Sequence, residues 1–529
     1  HRDLHSFPTR RSSDLSRIFF LAVFFLPITL KGNFCPLCVT NSQKAFFMSE
    51  SVDSKNFGEL GNSPDTTLEN SLLIRHGLIA TAERQWSGDI RVWDDKIVEV
   101  GENLLQSERQ ECIIDADGMQ VIPGGIDPHT HLMRPWVDDY LSGSQSAIAG
   151  GITTIGCMVY GEENVGLLDV VNEQTKLVRE QSIVDIFLHP NVWTAIDKVQ
   201  EELPEMVKSG HTSIKIFMVS PRFVDNEERY VDIIHEAGRV GLITLLHCED
   251  AQALQMESLK LGLAGHTSLR YYAESRPVSS EVSAVKKAIA ICEKTSAPVY
   301  LVHISSKEAL DACYQARKNG LPVYVETRPI YLYFTRERYL EPDGPLYVGQ
   351  PPLRDIVDVN ALWDGLAQGI VDTLGSDHAP WSRDEKMHPS LNIHDLRPGV
   401  ADLQTMLPIF YSEGVMKNKI SLERFVALTS TNAAKLFGLF PQKGTIAVGS
   451  DADLVLWNPT RKCILRKDDL FSRSGFSLHE GWEINGYPEM TIRRGRIVYK
   501  SGKIVGKPGS GILPVRSRPV PSSGLLYTD

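Results

Sequence analysis

From position 121 to position 374 one pattern repeats: a short, nearly unbroken apolar run, then a longer stretch whose apolar residues return with helical spacing. The runs are Val121-Ile122-Pro123-Gly124-Gly125-Ile126, Thr153–Ile155, Val184–Leu188, Ser213–Met218, Ile243–Leu246, Val299–Val302, Val323–Glu326 and Val371–Leu374. Glu281–Glu293 and Lys307–Lys318 are two of the helical stretches between them. Strand then helix, repeated, predicts an α/β fold with a parallel sheet. Closure into an eight-stranded (β/α)8 TIM barrel is the expected form. The alternative, an open doubly wound sheet, calls for a glycine fingerprint after its first strand, and Gly124-Gly125 does not supply GxGxxG.

The flanks read differently. Leu72–Ile74, Gly77–Ala80, Asp89–Trp93 and Lys96–Val100 are short strand candidates split by polar turns such as Asp94-Asp95, the texture of an antiparallel meander. It returns at Ala452–Trp457 and in a hairpin candidate at Thr491–Tyr499. The two ends are expected to form one small β-domain. The organisation predicted is therefore a leading segment 1–47, a disordered lead 48–70, a β-domain from 71–122 and 441–507, the barrel at 123–440, and a loose tail at 508–529 rich in Pro, Ser and Gly.

Length and composition narrow the class. At 529 residues the chain suits a large α/β domain plus a second module. With 42% hydrophobic and 23% charged residues it can bury a sizeable core and remain soluble. A net charge of -11 argues against a nucleic-acid partner, which would need a basic face. The 8 cysteines are sparse and irregular and make no disulfide framework; Cys35-Pro36-Leu37-Cys38 lacks the second pair of a zinc site. Ile18–Leu30 is apolar and follows Arg10, Arg11 and Arg17, like the core of a secretory signal. It is shorter than the roughly 20 residues of a membrane span. The reading preferred here is that 1–47 is not native: the chain opens on His1, Phe7–Leu15 resembles translated adapter sequence, and Met48 is a natural start. Cytoplasmic residence follows if translation starts at Met48, and the secretory pathway if 18–30 is a true signal. No other segment is long and apolar enough to cross a membrane, so no membrane partner is expected.

The chemistry sits where apolar runs end. His129 and His131 close the first run, and residues i and i+2 on a strand point the same way, so one tip can offer both imidazoles to a metal. An isolated HxH is as often a chance pair. Lys215 lies in Ser213-Ile214-Lys215-Ile216-Phe217, where a lone cation would be costly. Its ammonium cannot bind a metal, but carbamylation by CO2 would make it an anionic carboxylate able to bridge two. His247, His303 and Asp377 each end a later run. Alone, either histidine reads as a core residue; together, these tips describe one mouth around a metal centre and a hydrolytic reaction.

Longer motifs carry a resemblance. Pro123–Leu132 (PGGIDPHTHL), Ser213–Met218 (SIKIFM), Leu245–Asp250 (LLHCED), Leu301–Ser306 (LVHISS), Pro351–Asp355 (PPLRD), Gly375–Pro380 (GSDHAP) and Thr429–Trp457 are similar to the cyclic amidohydrolases. The nearest likeness is to the dihydropyrimidinase/hydantoinase group, and it runs from about Ser71 to Ser501. The resemblance implies a TIM barrel with a flanking β-sandwich, two Zn2+ per subunit and hydrolytic opening of a small cyclic amide by a metal-bridging hydroxide. It places His129, His131 and Asp377 on the first metal, His247 and His303 on the second, and carbamylated Lys215 between them. Asp377 would take the proton from the hydroxide and pass it to the leaving nitrogen. A homodimer or homotetramer is implied by the same likeness.

Some positions depart from it. Ser220 stands where the group usually has a tyrosine for the oxyanion, and Gln350 where it has a serine before Pro-Pro-Leu-Arg. The loop at Arg397-Pro398-Gly399-Val400 is nearer to dihydroorotases and allantoinases, which stand as the alternative function. Against dihydroorotase, Met133 follows Leu132 where an arginine is usual, with Arg134 one place later, and Trp381 follows Pro380. Ser220, Gln350, Arg134 and Pro398 are the candidate substrate contacts. A non-catalytic scaffold of the same fold is the remaining reading, and the full ligand set speaks against it.

Overall fold

The computed structural model describes residues 71–518 apart from 108–110, 163, 194 and 195. The expectations for 1–47, 48–70, the Cys35/Cys38 pair and the last residues of the tail lie outside the described residues.

Near the amino end come β1 Ser71–Ala80, β2 Gln85–Trp93, β3 Lys96–Gly101, β4 Cys112–Asp115 and β5 Gln120–Pro123. Then follow β6 Gly125–Thr130, β7 Ile152–Val159, β8 Asp185–Pro190, β9 Ser213–Phe217, β10 Ile243–His247, β11 Val299–Leu301, β12 Val323–Thr327 and β13 Thr373–Leu374. The series ends with β14 Leu454–Ile464, β15 Glu483–Arg493, β16 Arg496–Lys500 and β17 Lys503–Ile504.

Strands β1–β5 and β14–β17 make one nine-stranded sheet, in the order β17-β16-β15-β14-β5-β1-β2-β3 with β4 beside β1. Its turns are written in the sequence. Arg494 and Gly495 both take positive φ, 45° and 71°, between β15 and β16, the twist a tight hairpin turn requires. Alternation gives β14 two jobs. Leu454 and Leu456 join Leu72, Ile90 and Val121 in the sheet's own core, while Val455 and Trp457 face the main core.

Strands β6–β13 are all parallel to their neighbours. One set pairs in the order β6-β7-β8 and the other in the order β13-β12-β11-β10-β9. Parallel bridges Asn191–Lys215 and Thr130–His378 link the ends of the two sets. Helices separate the strands, among them Val278–Thr295 and Lys307–Lys318. The interior is packed solid: Ile126, Met158, Phe187, Leu245 and Tyr300 meet Phe437, whose ring lies 5.4 Å from Phe187 and 5.2 Å from Tyr300. The space left for chemistry is at the carboxyl ends of these strands.

Two expectations are corrected. Val121–Ile126 is not one strand. The chain breaks at Gly124 and passes from the nine-stranded sheet to β6, because Gly124 lies so close to Thr153 that a Cβ there would sit 2.2 Å from its Oγ1. Nor is 508–518 a loose arm. Ile186 N donates to Ile512 O (2.9 Å), Gly511 N donates to Ser182 O (2.9 Å), and Arg516 is buried. Its Nη1 donates to Ser213 Oγ (2.8 Å) and its Nη2 to Leu188 O (3.2 Å). Among the described residues no helix is long and apolar enough to cross a membrane.

Candidate metal centre

Strand parity aims the first groups. Val323 and Val325 of β12 face the outer core, so Tyr324, Glu326 and the residue just past the strand, Arg328, face inward. On β6 the register against β7 slips between Asp127 and Thr130, which re-aims His129 at the strand tip. The imidazole centres of His129 and His131 lie 5.3 Å apart.

Asp377 completes the cluster. Its Oδ1 is 3.0 Å from His131 Nε2 and 3.3 Å from His129 Nε2, and ligand atoms of all three lie within 4.8 Å of one another. The other two histidines close on the same space: the His303 ring is 5.5 Å from His129 and 4.6 Å from His247. Lys215 is completely buried, its Nζ has no hydrogen-bond partner, and it lies 4.9 Å over the Phe217 ring, itself 5.5 Å from His247. His303 and Asp377 carry φ of 42° and 47°. Left-handed backbone at non-glycine residues costs on the order of 1–3 kcal/mol and gathers where geometry is imposed for function.

Partners fix which nitrogen each ring presents. His129 Nδ1 is 2.7 Å from Glu326 Oε1, and His131 Nδ1 is 2.9 Å from Tyr160 Oη, which leaves both Nε2 atoms for a metal. His247 is the reverse. Its Nε2 is 2.8 Å from Glu249 Oε2, leaving Nδ1, and Arg276 Nε donates to Glu249 Oε1 (2.9 Å) from behind. Glu326 also accepts from His303 N (3.0 Å) and Tyr300 Oη (2.8 Å). Only glycine fits at 375, where a Cβ would lie 2.6 Å from Glu326 Oε2.

The electrostatics suit cation binding. Burial pushes His131 down to about 4 and holds His247 and His303 below the usual imidazole range, so these rings are neutral donors at pH 7. Burial opposes ionisation of Asp377, but the Arg328 guanidinium and the imidazoles of His129 and His131 outweigh it and hold the carboxyl well below its ordinary value. Burial lowers Lys215 to about 8 against the pull of Glu326 and Asp377. An anionic oxygen and neutral imidazoles form a donor set that fits a divalent metal centre, and the orphaned amine of Lys215 is buried with them.

Two of the candidate substrate contacts are engaged within the protein itself. Ser220 is buried and caps the short helix Pro221–Asp225, its Oγ accepting from Arg222 N (3.2 Å). Gln350 is half-buried next to Gly349, whose carbonyl accepts from Tyr272 Oη (2.9 Å). Arg134 is exposed beside Pro135, and the Pro398 carbonyl accepts from Trp381 Nε1 (2.7 Å). Sequence reasoning passed over Glu326, Arg328, Glu249 and Tyr160. Glu326 ends a strand run just as the histidines do, and Glu249 stands two places after His247, so both were within reach of the same rule.

The amidohydrolase family profile matches residues 120–498. A D-hydantoinase of Ralstonia pickettii is 34% identical over 452 residues, covering 83% of this chain and 97% of that protein. The crystal structure of a dihydropyrimidinase from Brevibacillus agri superposes with a TM-score of 0.81 at 34% identity, over 85% of this chain and 99% of that one. An L-hydantoinase (dihydropyrimidinase) from Arthrobacter aurescens does so with a TM-score of 0.79 at 28% identity, over 84% of this chain and 100% of that one.

Proposed function

The chain belongs to the amidohydrolase family, within its hydantoinase and dihydropyrimidinase group, and on that premise we propose that it opens small cyclic amides by hydrolysis at a two-zinc centre bridged by carbamylated Lys215. The observation that carries this reading is the buried convergence of His129, His131 and Asp377 beside an amine without a partner. His129, His131 and Asp377 would hold one ion and His247 and His303 the other. Zinc held there supplies Lewis acidity for the ring carbonyl and lowers the pKa of water to about 7. Asp377, kept ionised by its neighbours, accepts the proton of the attacking water and returns it to the ring nitrogen as the carbon–nitrogen bond breaks. Glu326 and Glu249, which only accept, hold His129 and His247 in the tautomers that ligation needs, and Tyr160 orients the ring of His131. We read the parallel strands as a (β/α)8 barrel, the nine-stranded sheet as a flanking sandwich domain, and self-association as a dimer or tetramer by family likeness.

The test is a panel of dihydrouracil, hydantoin, dihydroorotate and allantoin, assayed with zinc and bicarbonate, beside metal analysis of the purified protein. About two zinc ions per subunit and ring opening that chelation abolishes are expected. Turnover only of dihydroorotate or allantoin would move the assignment to those activities. No bound zinc and no turnover of any member would leave a scaffold.

A further inference from the structure

Arg328 is an expensive residue, and the Tyr331 ring 5.6 Å from its guanidinium offsets only part of the cost of burying it. It follows β12 with the inward parity of Tyr324 and Glu326, and none of its surface is exposed. Its Nη1 stands 2.7 Å from Asp377 Oδ2, an ion-pair distance, yet Nε, Nη1 and Nη2 make no hydrogen bond of good geometry. A guanidinium has five N–H donors, and burying it so poorly satisfied costs several kcal/mol by order of magnitude. An apolar side chain of similar length would fill the space without that cost.

The surroundings hold it in one place. A Cβ on Gly349 would lie 3.0 Å from Nη1, so the guanidinium is wedged between that backbone and Asp377. Asp402, fully buried with both carboxylate oxygens lacking hydrogen bonds, adds a second negative field. Lys386 pins the loops on either side, its Nζ donating to the carbonyls of Val348 (2.9 Å), Arg397 (2.8 Å) and Gly399 (2.7 Å). Direct contact with substrate does not fit a side chain with no exposed surface.

We infer that Arg328 is a positioning residue: it captures Oδ2 of Asp377 so that Oδ1 alone faces the Nε2 atoms of His129 and His131. A carboxylate has two equivalent oxygens and turns about its Cβ–Cγ bond. Left free, Asp377 could present either oxygen, or both, to a cation. A buried, charge-assisted contact to one oxygen removes that choice. The inference rests on reading Asp377 as a metal ligand and proton carrier, and the experiment separates the two.

Full-length Arg328→Met, Arg328→Lys, Arg328→Ala and Asp377→Asn proteins would be compared with the unmodified chain, each checked for its fold by circular dichroism. The readouts are zinc affinity, by competition with a chromogenic chelator, and kcat and KM on the best ring substrate. Arg328→Met is expected to lower zinc affinity and kcat by about 10- to 100-fold, the range for loss of a group that orients a ligand, with KM changed by less than about twofold. Arg328→Lys should recover part of both. In Arg328→Ala, millimolar guanidinium should raise kcat, and Arg328→Ala decides the matter if the methionine variant does not fold. Unchanged zinc affinity and kcat in a folded Arg328→Met protein, or no recovery of Arg328→Ala by guanidinium, overturns the inference. Retention of zinc and turnover by Asp377→Asn would instead defeat the reading of Asp377 on which it stands.

Discussion

A lysine amine sealed from water without a partner is a poor structural choice and a good chemical one. Burial takes Lys215 from the usual 10.5 to about 8. At pH 7 about one amine in ten is then neutral, against about one in three thousand at the ordinary value. Only the neutral amine attacks CO2; the new N–C bond forms, the nitrogen releases a proton, and an anionic carboxylate results. The fraction able to react grows as pH rises toward 8. Replacing Lys215 with Ala is therefore expected to lower the zinc content from about two per subunit to about one and to cut turnover by roughly 100-fold or more, at least the loss seen for outer partners of a ligand. Acetate or propionate should restore part of both by placing a carboxylate in the vacated space. Metal analysis with and without the acid decides it: full zinc occupancy in the unrescued variant would rule out the bridge.

At the scale of elements, most strands were legible because their residues alternate or run apolar. Lys307–Lys318 carries helical spacing and forms a helix over those residues, and the apolar run Ser213–Met218 differs from β9 by one residue. What hid from the sequence were contacts between distant segments. Nothing local in Val121–Ile126 says that Gly124 must meet Thr153 and divide the run between two sheets. Nothing in the polar composition of 508–518 says that Gly511 will press on the backbone of Val184 or that Arg516 will be buried. The same limit applies to the site: the ligands end their own runs and could be found one at a time, whereas Arg328 has meaning only once Asp377 is beside it. The tail segment has a consequence for stability. Arg516 ties the beginning of β9, through Ser213 Oγ, to the Leu188 carbonyl of β8, and His189 Nδ1 shares that hydroxyl at 2.7 Å. Among the described residues it has no carboxylate partner; those two bonds and the Phe187 ring, 5.1 Å from its guanidinium, hold it. Arg516→Ala is expected to cost about 3 kcal/mol or more, roughly 1.5 for each hydrogen bond from a charged group. The loss should show as a lower denaturation midpoint with kcat nearly unchanged, since the segment crosses the amino ends of the strands, away from the site. An unshifted midpoint would return 508–518 to the status of a passive tail.

For the whole molecule, the decisive variable is acid. The chain carries a net charge of -11 near neutrality, yet several of its histidines are buried neutral, and each favours the unfolded state once protons become plentiful. His479 shows this most simply. It is 1% exposed, neither ring nitrogen has a hydrogen bond, and its neighbours are the rings of Tyr333, Phe334 and Trp482 at 5.9, 5.1 and 4.9 Å. Burial alone takes it from the usual 6.5 to about 3. The folded pKa is the lower one, so the unfolded chain binds the proton first. Stability is intact above about 6.5 and declines as pH falls toward 3. At pH 5 the loss from this one ring is about 2 kcal/mol. His131 and His211, each taken down to about 4 by burial, add to it in the metal-free protein, while a metal on His131 would shield that ring from the proton. His479→Phe keeps an aromatic ring in the box and removes the titration. Any strain from the larger ring is the same at every pH, so the difference between pH 7 and pH 5 isolates the proton. That difference, measured by denaturant unfolding, should shrink by about 2 kcal/mol in the variant. If both proteins lose the same stability between the two pH values, the imidazole of His479 is reaching water or an acceptor when protonated, and the acid sensitivity of this fold lies with its other buried groups.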